Sequence, residues 1–149
     1  MKSLNEMKLI IDSKSINEGY SRVAVGAFAA SIDPNLEELT DIKTAVSEAV
    51  TNAIVHAYGQ QPGKIYINVS IMENNIIRIK IRDKGIGIEN VQKAMEPLFT
   101  TAASGERAGL GFAVMQSFMD SVKVRSKVGK GTTVVMNKKI SLRMGKNAG

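Results

Sequence analysis

The chain has 149 residues, 44% of them hydrophobic, which is enough for one domain with a buried core. It has no cysteine, which excludes disulfides and thiolate metal sites. Its formal charge of +6 is scattered along the sequence, and with 5% aromatics and no tryptophan it lacks the basic and aromatic interleaving that stacks on nucleic-acid bases. The N-terminus has no apolar core suited to a signal peptide, and the longest apolar run, Val23 to Ala30, is far too short for a membrane span. A cytoplasmic protein with no direct contact to nucleic acid or membrane is therefore expected.

Met7 to Ile11 predicts a short first strand. Ser15 to Ala30 carries Ile16, Tyr20, Val23, Ala27 and Ala30 at helical spacing and predicts a first helix with that stripe on the core. Asp33-Pro34 predicts a second helix, with Asp33 as N-cap and Pro34 at the first helical position. It runs to about Tyr58 with Leu36, Leu39, Ile42, Val46, Ala49, Val50, Ala53 and Ala57 inward, and Gln60 to Gly63 ends it. Ile65, Ile67, Val69 and Ile71, the turn Glu73-Asn74-Asn75, and Ile77, Ile79 and Ile81 predict a hairpin. Glu89 to Met95 predicts a short helix, and Glu96 to Ala108 a long loop. Leu110 to Phe118 predicts another helix. Val122 and Val124, the turn Gly129-Lys130-Gly131 and Thr133 to Ile140 predict a closing hairpin. The order predicts an α+β two-layer sandwich within the broad α/β class, with helices on one face of a mixed, mostly antiparallel sheet. No repeat or linker marks a second domain, so 1–140 reads as one domain and 141–149 as a flexible basic tail.

Chemistry-bearing residues recur along this order. Glu48 and Asn52 stand four residues apart on one helix face. A carboxylate can take a proton from an attacking hydroxyl, and a carboxamide oxygen can serve a divalent cation. Asp83 ends a buried strand, where its carboxylate can accept from an exocyclic amine such as that of adenine. Gly85 and Gly87 follow and let the backbone approach a flat ring. Gly109 and Gly111, on either side of Leu110, open a helix whose N–H groups can face an anion. Thr100, Thr101 and Arg107 in the preceding loop are donors suited to phosphate oxygens. Thr132, after Gly131, can reach the same ligand through its hydroxyl. His56, the sole histidine, reads as a helix-end residue with a local hydrogen bond, not as a metal ligand or phospho-acceptor.

The ordered set resembles the GHKL ATPase/kinase superfamily. Glu48 to His56 is similar to its N box, Asp83 to Gly87 to its first glycine box and Gly109 to Gly111 to its second. The run from Glu48 to Tyr58, Pro97 to Thr101, and Gly111 to Met115 with Phe118 to Asp120 further resemble the anti-sigma-F factors of endospore-forming bacteria. The resemblance spans about Asn5 to Ile140. It implies a Bergerat-type fold binding ATP or ADP with Mg²⁺, and a homodimer. It also implies serine-kinase activity on a STAS-type anti-anti-sigma protein and inhibition of the sigma factor sigma-F. Carried over by position, Glu48 becomes the general base, Asn52 the Mg²⁺ ligand and Asp83 the adenine reader. Gly85 and Gly87 become the ring-side backbone and Thr100 to Gly111 the lid. His56 joins the nucleotide-lining set as the end of the N box. Lys84 departs from the asparagine common in the superfamily. Arg22, on the first helix, is a candidate anchor for both protein partners. Two other readings stand beside this one: a stand-alone histidine-kinase-like ATPase, and a nucleotide-gated binding protein without catalysis.

Overall fold

Alternating isoleucines and valines build the sheet, and each strand turns its branched side chains toward the same layer of helices. The structure, a computed structural model, describes residues 1–96 and 111–142. Strands β1 (Ser3–Asp12), β2 (Lys64–Met72), β3 (Ile76–Asp83), β4 (Ser121–Lys127) and β5 (Gly131–Lys139) lie in the order β1-β2-β3-β5-β4. Every described pairing is antiparallel, so the expected mixture with parallel strands is absent among the described residues. Register fixes the buried face. Ile67 pairs with Ile81, Val69 with Ile79 and Ile71 with Ile77, while Ile79 also meets Met136 and Ile81 meets Val134. Helices α1 (Ile16–Ala29), α2 (Leu36–Thr51) and α4 (Phe112–Phe118) cover this face, and α3 (Val91–Ala94) is one short turn. Ile42, Val46 and Val50 of α2, Val25 and Ala29 of α1, and Phe112 and Met115 of α4 join the strand residues in one buried cluster. Truncating any of the fully buried isoleucines to alanine costs about 2–5 kcal/mol.

The start of α2 differs from expectation. Asn35, not Asp33, is the N-cap, and Pro34 lies outside the helix. Asn35 Oδ1 accepts the Glu38 N–H at 2.7 Å, and Glu38 Oε1 accepts the Asn35 N–H at 2.9 Å. This reciprocal box satisfies two amide donors at once, which a lone Asp-Pro start does not. Asp33 takes a left-handed conformation (φ 54°) one step earlier, and Leu36 is 80% exposed rather than in the core.

The face of α1 is also reversed. Ile16, Tyr20 and Val23 are 64%, 64% and 61% exposed, and Ala27 and Ala30 are exposed with them. The buried face is Ser21, Val25, Gly26 and Ala29. Small residues there let α1 lie close on α2, where the Lys43 stem runs 3.2 Å from the position a Gly26 side chain would fill. The buried Ser21 hydroxyl is satisfied by donating to the Glu18 carbonyl at 2.8 Å.

The helix expected to reach Tyr58 changes winding at Asn52. Asn52–Tyr58 is π-type, a wider turn found often at functional sites. Strand β1 is longer than expected at both ends. The hairpin turn falls as expected, with Asn74 and Asn75 at φ 65° and 60°, a conformation asparagine tolerates. The expected loop from Glu96 to Ala108 lies almost wholly outside the described residues, as does most of the expected tail.

Asn35→Ala is expected to destabilise the fold by about 1 kcal/mol in urea denaturation, and Asn35→Asp, which keeps the acceptor, by much less. No loss in Asn35→Ala would contradict the cap.

Candidate nucleotide site

The site forms where the end of α2 passes over the ends of β3 and β5. A cavity of about 260 Å³ opens there. Asn52, His56 and Ala57 line it from the helix side, and Asp83 and Thr132 from the sheet. Ile81, Ile88, Phe112 and Val134 give it apolar walls, and Ile86 stands at its mouth, 66% exposed.

Asp83 is the one carboxylate among the described residues that line this largely apolar slot. It is 7% exposed, and no cation among the described residues pairs with it. Burial holds its carboxyl above the ordinary aspartate range, opposed by hydrogen bonds from backbone amides. Both amides, from Gly85 at 2.9 Å and Thr132 at 3.3 Å, donate to the same oxygen, Oδ1. Oδ2 has no partner among the described residues, yet no buried side-chain oxygen is orphaned, so Oδ2 looks into the open cavity. A buried acceptor aimed between apolar walls fits a flat heterocycle carrying one amine donor. The donor set therefore suits adenine.

The turn after Asp83 is clamped on both sides. The Ile86 N–H donates to the Ala57 carbonyl at 3.0 Å, and the Gly129 N–H donates to the Ile86 carbonyl at 2.8 Å. Gly87 sits at φ +81° on the cavity wall, against the Lys127 carbonyl, where a side chain would have no room. Gly85 does not line the cavity; it packs on Ala57. The Thr132 hydroxyl completes the wall, and Ser126 braces it from behind. The Ile88 N–H donates to Ser126 Oγ at 2.7 Å, and Ser126 Oγ lies 2.7 Å from Thr132 Oγ1. Sequence reasoning missed Ser126, Phe112 and the isoleucines. Ile86 and Ile88 had a signal, since apolar residues inside a glycine turn call for a partner; Ser126 had none.

Glu48 lies one helical turn before Asn52, outside the cavity lining. Gly111, at φ +74°, abuts it so closely that a Cβ there would meet Glu48 Oε1. The second glycine element and the candidate base are thus neighbours, although 63 positions separate them in the sequence. Among the described residues His56 makes no side-chain hydrogen bond, so the expected local bond is absent; it lies exposed at the cavity edge. Lys84 points away, its ammonium 5.1 Å from the centre of the Tyr66 ring. Arg22 is remote from the cavity and held by Glu18 at 3.1 Å. The Ser47 hydroxyl, donating to that carboxylate, holds Glu18 below the usual glutamate range. Thr100, Thr101, Arg107, Gly109 and Leu110 lie outside the described residues. No group of three or more His, Asp or Glu side chains capable of holding a metal occurs among the described residues. An Mg²⁺ ion that keeps phosphate and water ligands needs only one or two protein oxygens, and the Asn52 carboxamide can supply one.

Residues 18–138 match the histidine kinase-like ATPase domain family. Full-length relatives agree. The chain is 51% identical over 138 residues to the anti-sigma F factor of Clostridium acetobutylicum, covering 93% of this chain and 96% of that one. It is 57% identical over 136 residues to the anti-sigma F factor of Caldanaerobacter subterraneus subsp. tengcongensis, covering 91% and 94%. The chain belongs to the anti-sigma F factor family. Solved structures agree on the fold. The RsbU and RsbW domains of a Mycobacterium tuberculosis protein superpose with a TM-score of 0.69 at 18% identity, over 93% of this chain and 33% of that one. The catalytic domain of the histidine kinase ThkA gives 0.56 at 18% identity, over 92% and 97%. Membership in this ATPase family implies nucleotide binding, for which this cavity is the candidate site. Among the described residues no helix is long and apolar enough to cross a membrane.

The raised Asp83 pKa carries a sign. The folded chain keeps this proton at pH values where the unfolded chain has lost it, so stability falls as pH rises through that window. Asparagine keeps the Oδ1 acceptor and removes the titration. Asp83→Asn is therefore expected to unfold no more easily than the wild type near neutral pH, and to show a flatter stability profile from acid to neutral. It should also bind adenine nucleotides at least about tenfold more weakly, because the cavity-facing acceptor becomes an amide. Denaturation across pH and calorimetric titration with ADP check both parts; unchanged affinity contradicts the assignment.

Proposed function

We propose that the chain is an ATP-dependent serine-protein kinase that phosphorylates a STAS-type anti-anti-sigma protein in the cytoplasm. With nucleotide bound, it also holds the sporulation sigma factor sigma-F inactive. The observation that carries the kinase reading is a cavity lined by both Asn52 and Asp83, with Glu48 one helical turn before Asn52 and Gly111 packed against Glu48. Asp83 fixes the purine end, so the phosphate chain extends toward Asn52 and Glu48. Mg²⁺, held there through the Asn52 carboxamide, would offset the charge of the phosphates.

Glu48 takes the proton from the partner's serine hydroxyl. The serine oxygen bonds to the γ-phosphorus as the bond from that phosphorus to the β,γ-bridging oxygen breaks, and ADP leaves. Gly111 caps the start of α4 beside Glu48, which supports a role for its amide toward the transferring charge. The relatives' names supply the sigma-factor partner. The exposed apolar strip of Ile16, Tyr20 and Val23 supports the homodimer, since side chains of that size on one helix face favour a protein cover. Arg22 borders this strip, held in place by Glu18, which supports it as a partner anchor.

The test is incubation of the pure protein with γ-labelled ATP, Mg²⁺ and a STAS partner, followed by localisation of the label. Label on a partner serine is expected. Self-labelling at His56 would favour a histidine-kinase-like ATPase, and no label a nucleotide-gated binder. Glu48→Gln should keep nucleotide affinity and slow transfer by about 10²–10⁴-fold. Transfer at the wild-type rate would remove Glu48 as the base.

A further inference from the structure

The sheet has a second face, turned away from the helices and the cavity, and its charge is one-sided. Alternation along the strands puts Lys8, Arg78, Lys80, Arg82, Lys123 and Arg125 on it, all exposed. They fall in cross-strand rows. One row runs Lys8, Asn68, Lys80, Val135, Lys123, and the next runs Ile10, Tyr66, Arg82, Thr133, Arg125. The strand carboxylates on this face are Glu6 and Asp12, and Asp12 is already paired with Lys64 at 2.6 Å. None of the six cations forms an ion pair among the described residues. Toward the β4–β5 turn the face dips into a concavity of about 300 Å³, where Lys84, Lys127 and Lys130 join Arg82 and Arg125.

The opposite layer carries the opposite sign. Between Ile16 and Tyr58 there are six carboxylates against two cations, Arg22 and Lys43. A solvated sheet face needs only mixed polar side chains, and a large field of one sign is suited to steering and holding an oppositely charged partner.

We propose that this open sheet face is a docking surface for an acidic protein segment. Spacing suits it. Cations two apart on a strand are separated by about 7 Å, and those along a row stand two strands apart, about 10 Å. The first spacing is that of carboxylates at alternate positions of an extended segment, and the second is that of carboxylates about two turns apart on a helix. The shape disfavours nucleic acid. The face has no protruding helix or ribbon to enter a groove. Its one central aromatic ring, Tyr66, is covered by the Arg82 guanidinium at 4.8 Å and by Lys84, which leaves no free platform for a base. The six cations lie clear of the nucleotide cavity's lining, and the face borders that cavity only at the concavity by the β4–β5 turn, through Asp83 and Thr132.

The experiment titrates fluorescently labelled decaglutamate with the full chain, reading anisotropy at low and moderate salt. Three proteins are compared: wild type, Lys80→Gln/Lys123→Gln on the open face, and Lys14→Gln/Lys93→Gln, which removes the same charge elsewhere. Salt-sensitive binding by the wild type is expected, weakened about tenfold by the open-face pair and less than about threefold by the other. A second pair, Lys8→Gln/Arg125→Gln, keeps the test valid if the first unfolds early, and should behave like it. Equal losses in all pairs, or no wild-type binding, would overturn the proposal. Tighter binding of a DNA duplex than of the peptide would also overturn it and assign the face to nucleic acid.

Discussion

A carboxylate kept inside an apolar wall is the constraint around which this molecule is arranged. Burying Asp83 disfavours its charge, and no cation among the described residues offsets that. Two backbone amides hold one of its oxygens, and no described group hydrogen-bonds the other. Those amides come from the glycine turn that follows β3 and from the start of β5, so the site exists only when both hairpins are formed and in register. Asp83 pairs with Thr132 across the β3–β5 ladder, and a one-residue slip would point the carboxylate out of the cavity. Fold and ligand recognition thus share one alignment.

The other half of the site depends on close approach rather than on hydrogen bonds. The turn after Asp83 touches the carbonyl of Ala57, at the π-wound end of α2, and the start of α4 touches Glu48 further back on the same helix. These contacts draw the glycine elements, the N-box helix and the hairpin ends into one cleft. The wider π winding begins at Asn52, next to the turn that carries Glu48, so it sets how Asn52 and His56 face the cavity.

Much of this was legible because the relevant signals are local. Period-two isoleucines fixed the central hairpin, and the Asn-Asn turn lies where expected. Glu48, Asn52, Asp83, Gly87, Gly111 and Thr132 were all nameable before any coordinates, since their chemistry depends on residue type and order. Misreadings came where two local signals competed. On α1 two stripes share one helix, and periodicity cannot say which is covered. The larger side chains, Ile16, Tyr20 and Val23, face out, while Val25 and Ala29 pack inward with Gly26. At α2, Asp33-Pro34 and the Asn35–Glu38 pair both read as starts, and the reciprocal pair won by satisfying two donors. Ser126 was invisible because its role arises only when β4, β5 and the glycine turn meet.

The account rests on Asp83 reading an amine at one edge of a purine. Calorimetric titration of the wild type with ATP and with GTP, each with Mg²⁺, asks this directly. Guanine carries a carbonyl where adenine carries the amine, so the cavity-facing carboxylate oxygen would meet an acceptor instead of a donor. A preference for ATP of about 10²-fold or more is predicted, the scale set by leaving a buried polar group unpaired. Equal affinities for the two nucleotides would contradict it.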